Sequence, residues 1–219
     1  ARYPARADFR WVATRGAAGT PPAVASLDFP YAGYCVMRTG WDADAVWAFF
    51  DGGPFGFAHQ HEDKLHLLLH AYGRTLLTEG GNYAYDDSEM RRYVLSTRAH
   101  NTIRVDGHDQ NRRLGYDHHD PQLLTRLAGA RWRTTAEYDV AEADYDEGYG
   151  PDATVAAMHR PGARFLENVH DDGHRPAPAR IATHRRRVTF LKRGPRGLGP
   201  CLLVVDRLLP HDATPHDYQ

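Results

Sequence analysis

The chain has 219 residues, 42% hydrophobic and 25% charged, and 27 Lys+Arg against 28 Asp+Glu leave a formal net charge of −1. That length suits one sizeable core, the balanced charge excludes a nucleic-acid binder working through bulk positive charge, and no apolar run approaches the ~20 residues of a membrane-spanning helix. The two cysteines, Cys35 and Cys201, each lie in an apolar run and read as buried strand thiols rather than a disulfide, while the 14 histidines are the unusual number.

Residues 1–25 are poor in periodic pattern, rich in Pro and Gly, and read as a linker in which Phe9, Trp11 and Val12 pack on something. Their start, Ala1-Arg2-Tyr3-Pro4, has neither an initiating Met nor a signal peptide's apolar core, so the chain reads as a processed or excised piece. Short strands are expected at 26–30, 33–38 and 45–51, the last delivering the chain to a turn at Asp51-Gly52-Gly53-Pro54.

Residues 49–110 carry most of the chemistry. In an extended segment His59, His61 and Asp63 would share one face, which makes either a metal site or an acid-base cluster. Residues 65–81 read as two strands folded back at Tyr72-Gly73-Arg74, a hairpin that returns Glu79 towards His61. A short helix fits 88–97, with Met90, Tyr93 and Val94 on one face, and 99–107 reads as a further alternating strand opening with His100. Neutral imidazole and carboxylate are ligands that Zn²⁺ accepts.

Beyond Gly107, residues 109–113 read as a polar loop, and strands are expected at 123–127, 130–138 and 140–145. Residues 153–160 fit helix or strand equally, and 168–180 read as a long surface loop. Residues 183–192 and 201–208 form a hairpin pair, with Arg185, Arg186 and Arg187 alternating between its faces as structural residues. His118, His119, His211 and His216 read as surface groups, and 216–219 look like the start of another strand, which implies a domain continuing past Gln219. The whole is best fitted by an all-β fold, a large antiparallel β-sandwich with few short helices, over 26–219.

The ordered set Asp51-Gly52-Gly53-Pro54, His59-Gln60-His61-Glu62-Asp63, Gly73-Arg74, Glu79-Gly80, Tyr83-Ala84-Tyr85, His100-Asn101-Thr102 and Val105-Asp106-Gly107 resembles the heparinase II/III-like polysaccharide lyases, which include alginate and oligoalginate lyases. The resemblance implies the C-terminal β-sandwich portion of such an enzyme. It also implies an N-terminal α/α toroid, absent from this chain, that forms the other wall of the cleft. By the same resemblance His61, Glu79 and His100 bind a metal, usually zinc and in a structural role, with Glu79 standing where the family mostly has Asp. His59 and Tyr85 take the catalytic positions, and the location implied is periplasmic or secreted.

Around these, Tyr83, Arg112 and His184 are candidate substrate contacts, and Asp63 and Asn101 candidate residues for orienting the imidazoles or ordering a turn. The expected partner is an acidic polysaccharide or oligosaccharide cleaved by β-elimination, with no nucleic acid and no membrane span. Two other readings remain open: a non-catalytic, zinc-containing carbohydrate-binding or structural module, and a zinc hydrolase using metal-bound water.

Overall fold

A computed structural model describes residues 3–55, 60–86, 88–110, 129–150 and 180–219. The expectations for 123–127 and 153–160, for all but the last residue of 168–180, and for His118 and His119, lie outside the described residues.

Short apolar-alternating runs broken by turn residues build two antiparallel sheets. The first is a meander in the order β1-β2-β3-β4-β5, from Leu27–Phe29 (β1), Tyr34–Arg38 (β2), Trp47–Asp51 (β3), Leu67–Ala71 (β4) and Arg74–Leu77 (β5). The second comprises Arg131–Thr134 (β7), Tyr138–Tyr145 (β8), Ala182–Leu191 (β10) and Cys201–Pro210 (β11), in the order β11-β10-β8-β7. A two-stranded ribbon pairs Asp109–Gln110 (β6) with Tyr149–Gly150 (β9). The architecture is thus the expected all-β antiparallel sandwich.

Period-2 alternation puts Cys35, Met37, Ala48, Phe50 and Leu67 on the inner face of the first sheet, against Ala141, Ala143, Tyr145, Val188 and Phe190 of the second. Burying each large side chain there contributes on the order of 1.5–3 kcal/mol. Gly52 lies where the sheets come closest: a Cβ on it would stand 2.8 Å from the Ala143 Cβ. Its neighbour Gly53 is equally constrained, since a Cβ there would meet the Ala32 carbonyl oxygen at 2.1 Å. The Gly-Gly pair after β3 is therefore a packing requirement as well as a turn.

The β4–β5 hairpin forms where expected, and Tyr72 and Gly73 both have positive φ, 56° and 70°, as a two-residue turn matched to strand twist requires. Of the helix expected at 88–97, Glu89–Leu95 (α2) forms, capped by the Ser88 hydroxyl, which accepts from the Arg91 backbone N–H. Its buried residues are Arg91, Val94 and Leu95, so only Val94 of the anticipated face turns inward.

Four expectations need correction. The segment read as a linker contains a helix, Ala7–Ala13 (α1), whose Trp11 packs edge-on against Trp41 at 6.1 Å. Cys35 is buried, which pushes its thiol up to about 12, but Cys201 is exposed because β11 is an edge strand. Asp109 and Gln110 pair with β9 instead of looping. His216 is not a free surface group: its side chain is 6% exposed, held between Asp106 at 2.7 Å and Asp212 at 3.2 Å. That clamp sits beside the isolated bridge from Val105 to Tyr218, which secures the final residues of the chain.

Candidate metal centre

The largest departure from the sequence expectation is at the functional residues themselves. Neither 60–64 nor 99–104 forms a strand, despite their alternating pattern. Backbone groups that would join a ladder are bound by side chains instead. Thr97 Oγ1 donates to the Glu62 carbonyl at 2.6 Å and accepts from the Gln110 N–H at 2.8 Å. Gln110 accepts from the Lys64 N–H and donates to the Lys64 carbonyl, each at 2.8 Å, while Thr102 Oγ1 donates to the same carbonyl at 2.9 Å. Asn101 donates through Nδ2 to the Leu67 and Thr78 carbonyls at 3.0 and 3.1 Å, tying the start of β4 to the end of β5. Buried loops are tolerable only when their polar groups are satisfied in this way.

These loops bring together three groups that the sequence separates. His61 Nδ1 lies 3.2 Å from His100 Nε2 and 3.6 Å from Glu79 Oε1, and His100 Nε2 lies 3.3 Å from Glu79 Oε2. The hairpin does what its turn chemistry implied, carrying Glu79 back to His61. His100 Nδ1 sits 2.7 Å from the Ser96 carbonyl, which can only accept, so that nitrogen carries the proton and Nε2 turns its lone pair to the cluster.

The fit to a metal ion follows from this donor set. Two imidazole nitrogens 3.2 Å apart face one carboxylate, whose Oε1 lies 3.6 Å from His61 and whose Oε2 lies 3.3 Å from His100, and one ligand atom from each residue falls within 4.8 Å of the others. Ligands bound about 2.0–2.1 Å from a tetrahedral ion are spaced about 3.3 Å apart. His61, Glu79 and His100 thus form a possible metal-binding triad with a fourth direction left for water or another group.

Spacing gave no reason to single out His66. Its Nε2 lies 3.1 Å from Glu79 Oε2, and its Nδ1 accepts the Asn101 backbone N–H at 2.9 Å. A neutral imidazole that accepts at Nδ1 carries its proton at Nε2, so His66 presents an N–H towards the carboxylate at 3.1 Å, without the alignment of a hydrogen bond, and supports it rather than ligating. The Gly81 N–H also reaches Glu79 Oε1, at 3.1 Å. The only sequence signal for His66 was its place on β4's entry beside the His-x-His block.

The electrostatics are unusual. Burial alone would raise the Glu79 carboxyl, but the imidazoles of His100, His61 and His66 gathered around it hold it well below the ordinary carboxylate range. Burial alone would lower the His100 imidazole, but Glu79 and the charge of Asp63 hold it above the ordinary value. A positive charge, whether proton or metal ion, is therefore favoured among these three groups.

Asp63 acts on His100 through its charge, and the Asn101 backbone N–H donates to His66 Nδ1. Tyr85 is exposed, its hydroxyl accepts from Asn82 Nδ2 at 2.8 Å, and the Arg91 guanidinium lies over its ring at 4.8 Å. Tyr83 is also exposed, on a residue with φ of 53°. His59 and Arg112 lie outside the described residues. His184 is not a cleft contact: its side chain is fully buried on the inner face of β10, 2.7 Å from Asp206.

The sequence pattern of the family described as "Heparinase II/III-like, C-terminal" matches residues 21–217. The chain belongs to this family. A heparin-sulfate lyase of Pedobacter heparinus is 27% identical over 142 residues, covering 63% of this chain and 20% of that protein. The solved heparan sulfate lyase HepC from Pedobacter heparinus shares the fold with a TM-score of 0.62 at 23% identity, over 95% of this chain and 26% of that one. A solved heparinase III does so with a TM-score of 0.60 at 16% identity, over 96% of this chain and 27% of that one. The chain thus spans about a fifth of the curated relative and about a quarter of these solved chains. No helix among the described residues is long and apolar enough to cross a membrane.

Proposed function

We propose that this heparinase II/III-like domain is the β-sandwich portion of a polysaccharide lyase that cleaves uronic-acid-containing glycans by β-elimination, with zinc held by His61, Glu79 and His100. The observation that supports this most is the convergence of one ligand atom from each of those three residues within 4.8 Å in a chain of this family. Bound there, zinc would supply fixed positive charge that cross-links three chain segments beside the cleft.

In the reaction the C5–H bond and the bond from C4 to the bridging oxygen break, a C4–C5 double bond forms, and no water is consumed. His59 is assigned to the uronate: it hydrogen-bonds the carboxylate or takes the C5 proton near neutral pH. Tyr85 is assigned to the bridging oxygen, donating the phenolic proton as the bond to C4 breaks. Its position beside the Arg91 guanidinium supports a role with developing negative charge. Tyr83 and Arg112 are assigned to binding the acidic sugar. An N-terminal helical toroid supplies the opposite wall and much of the choice of glycan, and the chain's coverage of about a quarter of the solved relatives is consistent with that. A periplasmic or secreted location follows from a polymeric substrate and is checked by cell fractionation.

Full-length protein incubated with alginate or heparan-type chains is expected to release products whose new double bond absorbs in the ultraviolet, and His59→Ala to abolish this with zinc content unchanged. The 219-residue chain alone is expected to be nearly inactive. Cleavage without unsaturated ends would point instead to a zinc hydrolase. Glycan or zinc binding without any cleavage would point to a non-catalytic module, a reading favoured by the three imidazoles already gathered around Glu79.

A further inference from the structure

The outer face of the second sheet carries a concentration of arginine that the metal centre does not use. Antiparallel register sets Arg131, Glu142, Arg187 and Val205 in one row across the four strands, and Asp144, Arg185 and Arg207 in the next. Arg133 occupies a further row, opposite Val140. Because side chains alternate, all five arginines share one face, which among the described residues of these strands carries two carboxylates. Arg131 and Arg187 each bind Glu142 at 2.7 Å, and Arg185 binds Asp144 in two-pronged fashion at 2.6 and 2.9 Å.

Both carboxylates are thereby taken. Arg133 lies over the Tyr138 ring at 5.5 Å, and Arg207, which is exposed, has no acidic partner among the described residues. Arg131 and Arg187 keep about half of their side chains open to water, 51% and 57%. Glu142, Arg185, Arg187, Val205 and Arg207 line a shallow groove of about 260 Å³. In a chain with net charge −1, this positive surplus is local rather than a reflection of composition.

We propose that this face docks an anionic glycan chain through its carboxylate or sulfate groups. The guanidinium fork matches such planar or tetrahedral oxyanions, and strands about 4.8 Å apart with same-face residues about 6.7 Å apart make a grid on the scale of successive sugar units. The exposed Leu203 and Val205 of edge strand β11 offer apolar surface to the sugars' C–H faces. Arg186, on the opposite face of β10, donates to the Leu65 carbonyl at 2.8 Å and also to that of Asn101, beside the metal centre. The docking face therefore looks away from that centre and holds the polymer apart from the bond being cut. The choice of a glycan as ligand rests on the lyase reading; the surplus of charge does not.

The test uses Arg133→Ser/Arg207→Ser, two exposed residues outside the carboxylate pairs, with Arg133→Lys/Arg207→Lys as the charge-keeping control. Affinities for heparin, alginate and neutral dextran are measured at low salt, together with zinc content. The serine variant is expected to lose on the order of tenfold in affinity for both acidic chains, the lysine variant to keep most of it, and dextran to bind neither. Heparin and alginate affected equally assigns the site to any anionic glycan; heparin alone assigns it to sulfate groups. Unchanged affinity in the serine variant, or double-stranded DNA held as tightly as heparin, overturns the proposal. Loss of glycan binding in the variant, alongside a full-length protein that releases no unsaturated products, would sink the lyase reading and leave the docking face standing.

Discussion

Two fully buried histidines each meet a carboxylate in this domain, and their imidazoles shift in opposite directions. His100 lies 3.3 Å from Glu79 and is raised above its ordinary value; His184 lies 2.7 Å from Asp206 and is lowered. Distance does not explain the difference, since the closer pair is the one whose histidine stays neutral. Burial lowers both, and the decisive contrast is the neighbour: Arg186 binds Asp206 at 2.7 and 3.0 Å and repels a proton on His184, whereas Glu79 is met by three imidazoles and, among the described residues, by no Lys or Arg. One carboxylate already has a permanent cation. The other is arranged for one that arrives, which is the physical difference between a structural ion pair and a candidate metal centre.

The contrast breaks most severely at the structural pair. Asp206→Ala leaves the buried Arg186 guanidinium without its counter-charge, expected to cost about 3–5 kcal/mol in denaturant unfolding. Arg186 also holds the Leu65 and Asn101 carbonyls, so the same variant should disturb metal binding from the far side of the core. At the other pair, His100→Ala should reduce bound zinc from roughly one ion per chain to near none by elemental analysis, while circular dichroism still reports a folded sandwich. A gentler perturbation is His66→Gln, which leaves all three donors in place but frees Glu79; zinc affinity by competition with a chelating dye should fall about 10–100-fold.

The smallest effect is in pH dependence, measured on chelator-treated protein. A raised His100 stabilises the fold fully below its unfolded value of 6.5, and that contribution is lost as pH rises through the folded value. Glu79, lowered, contributes above its ordinary 4.5 and loses the contribution as pH falls, so the metal-free pair helps most between about 4.5 and 6.5. His184 works the other way: its lowered value makes folding unfavourable to protonation, so stability is lost as pH falls below 6.5. His100→Gln and His184→Gln should therefore change the slope of stability against pH with opposite signs around neutrality. Zinc affinity should rise with pH through the raised His100 value, because the ligand must shed its proton.

Particular residues show what could be read from the chain before it was folded. Tyr72-Gly73 announced its hairpin because few turns join two alternating strands with two residues, and that hairpin carried Glu79 to His61. Arg185, Arg186 and Arg187 announced their own division, Arg186 inward and its neighbours outward, because strand side chains alternate. His100 to Gly107 misled for the same reason: its alternation is real, but its backbone is held from outside the segment, by His66, Arg186 and the residues near Tyr218 and Gln219. His184 misled because a histidine opening an arginine run looks exposed in one dimension.

What the sequence by itself determined was what local periodicity and turn chemistry set: an antiparallel sandwich, the β4–β5 and β10–β11 hairpins and a short helix at α2, while the three donor residues came from the resemblance to a family. What only the tertiary structure decided was how those donors are held and charged. The contacts responsible, Asn101 to His66 across 35 positions and Arg186 to Leu65 across 121, are side-chain to backbone hydrogen bonds between segments with no shared local pattern. Periodicity has no term for such bonds, and they place His66 against Glu79 and Arg186 against Asp206.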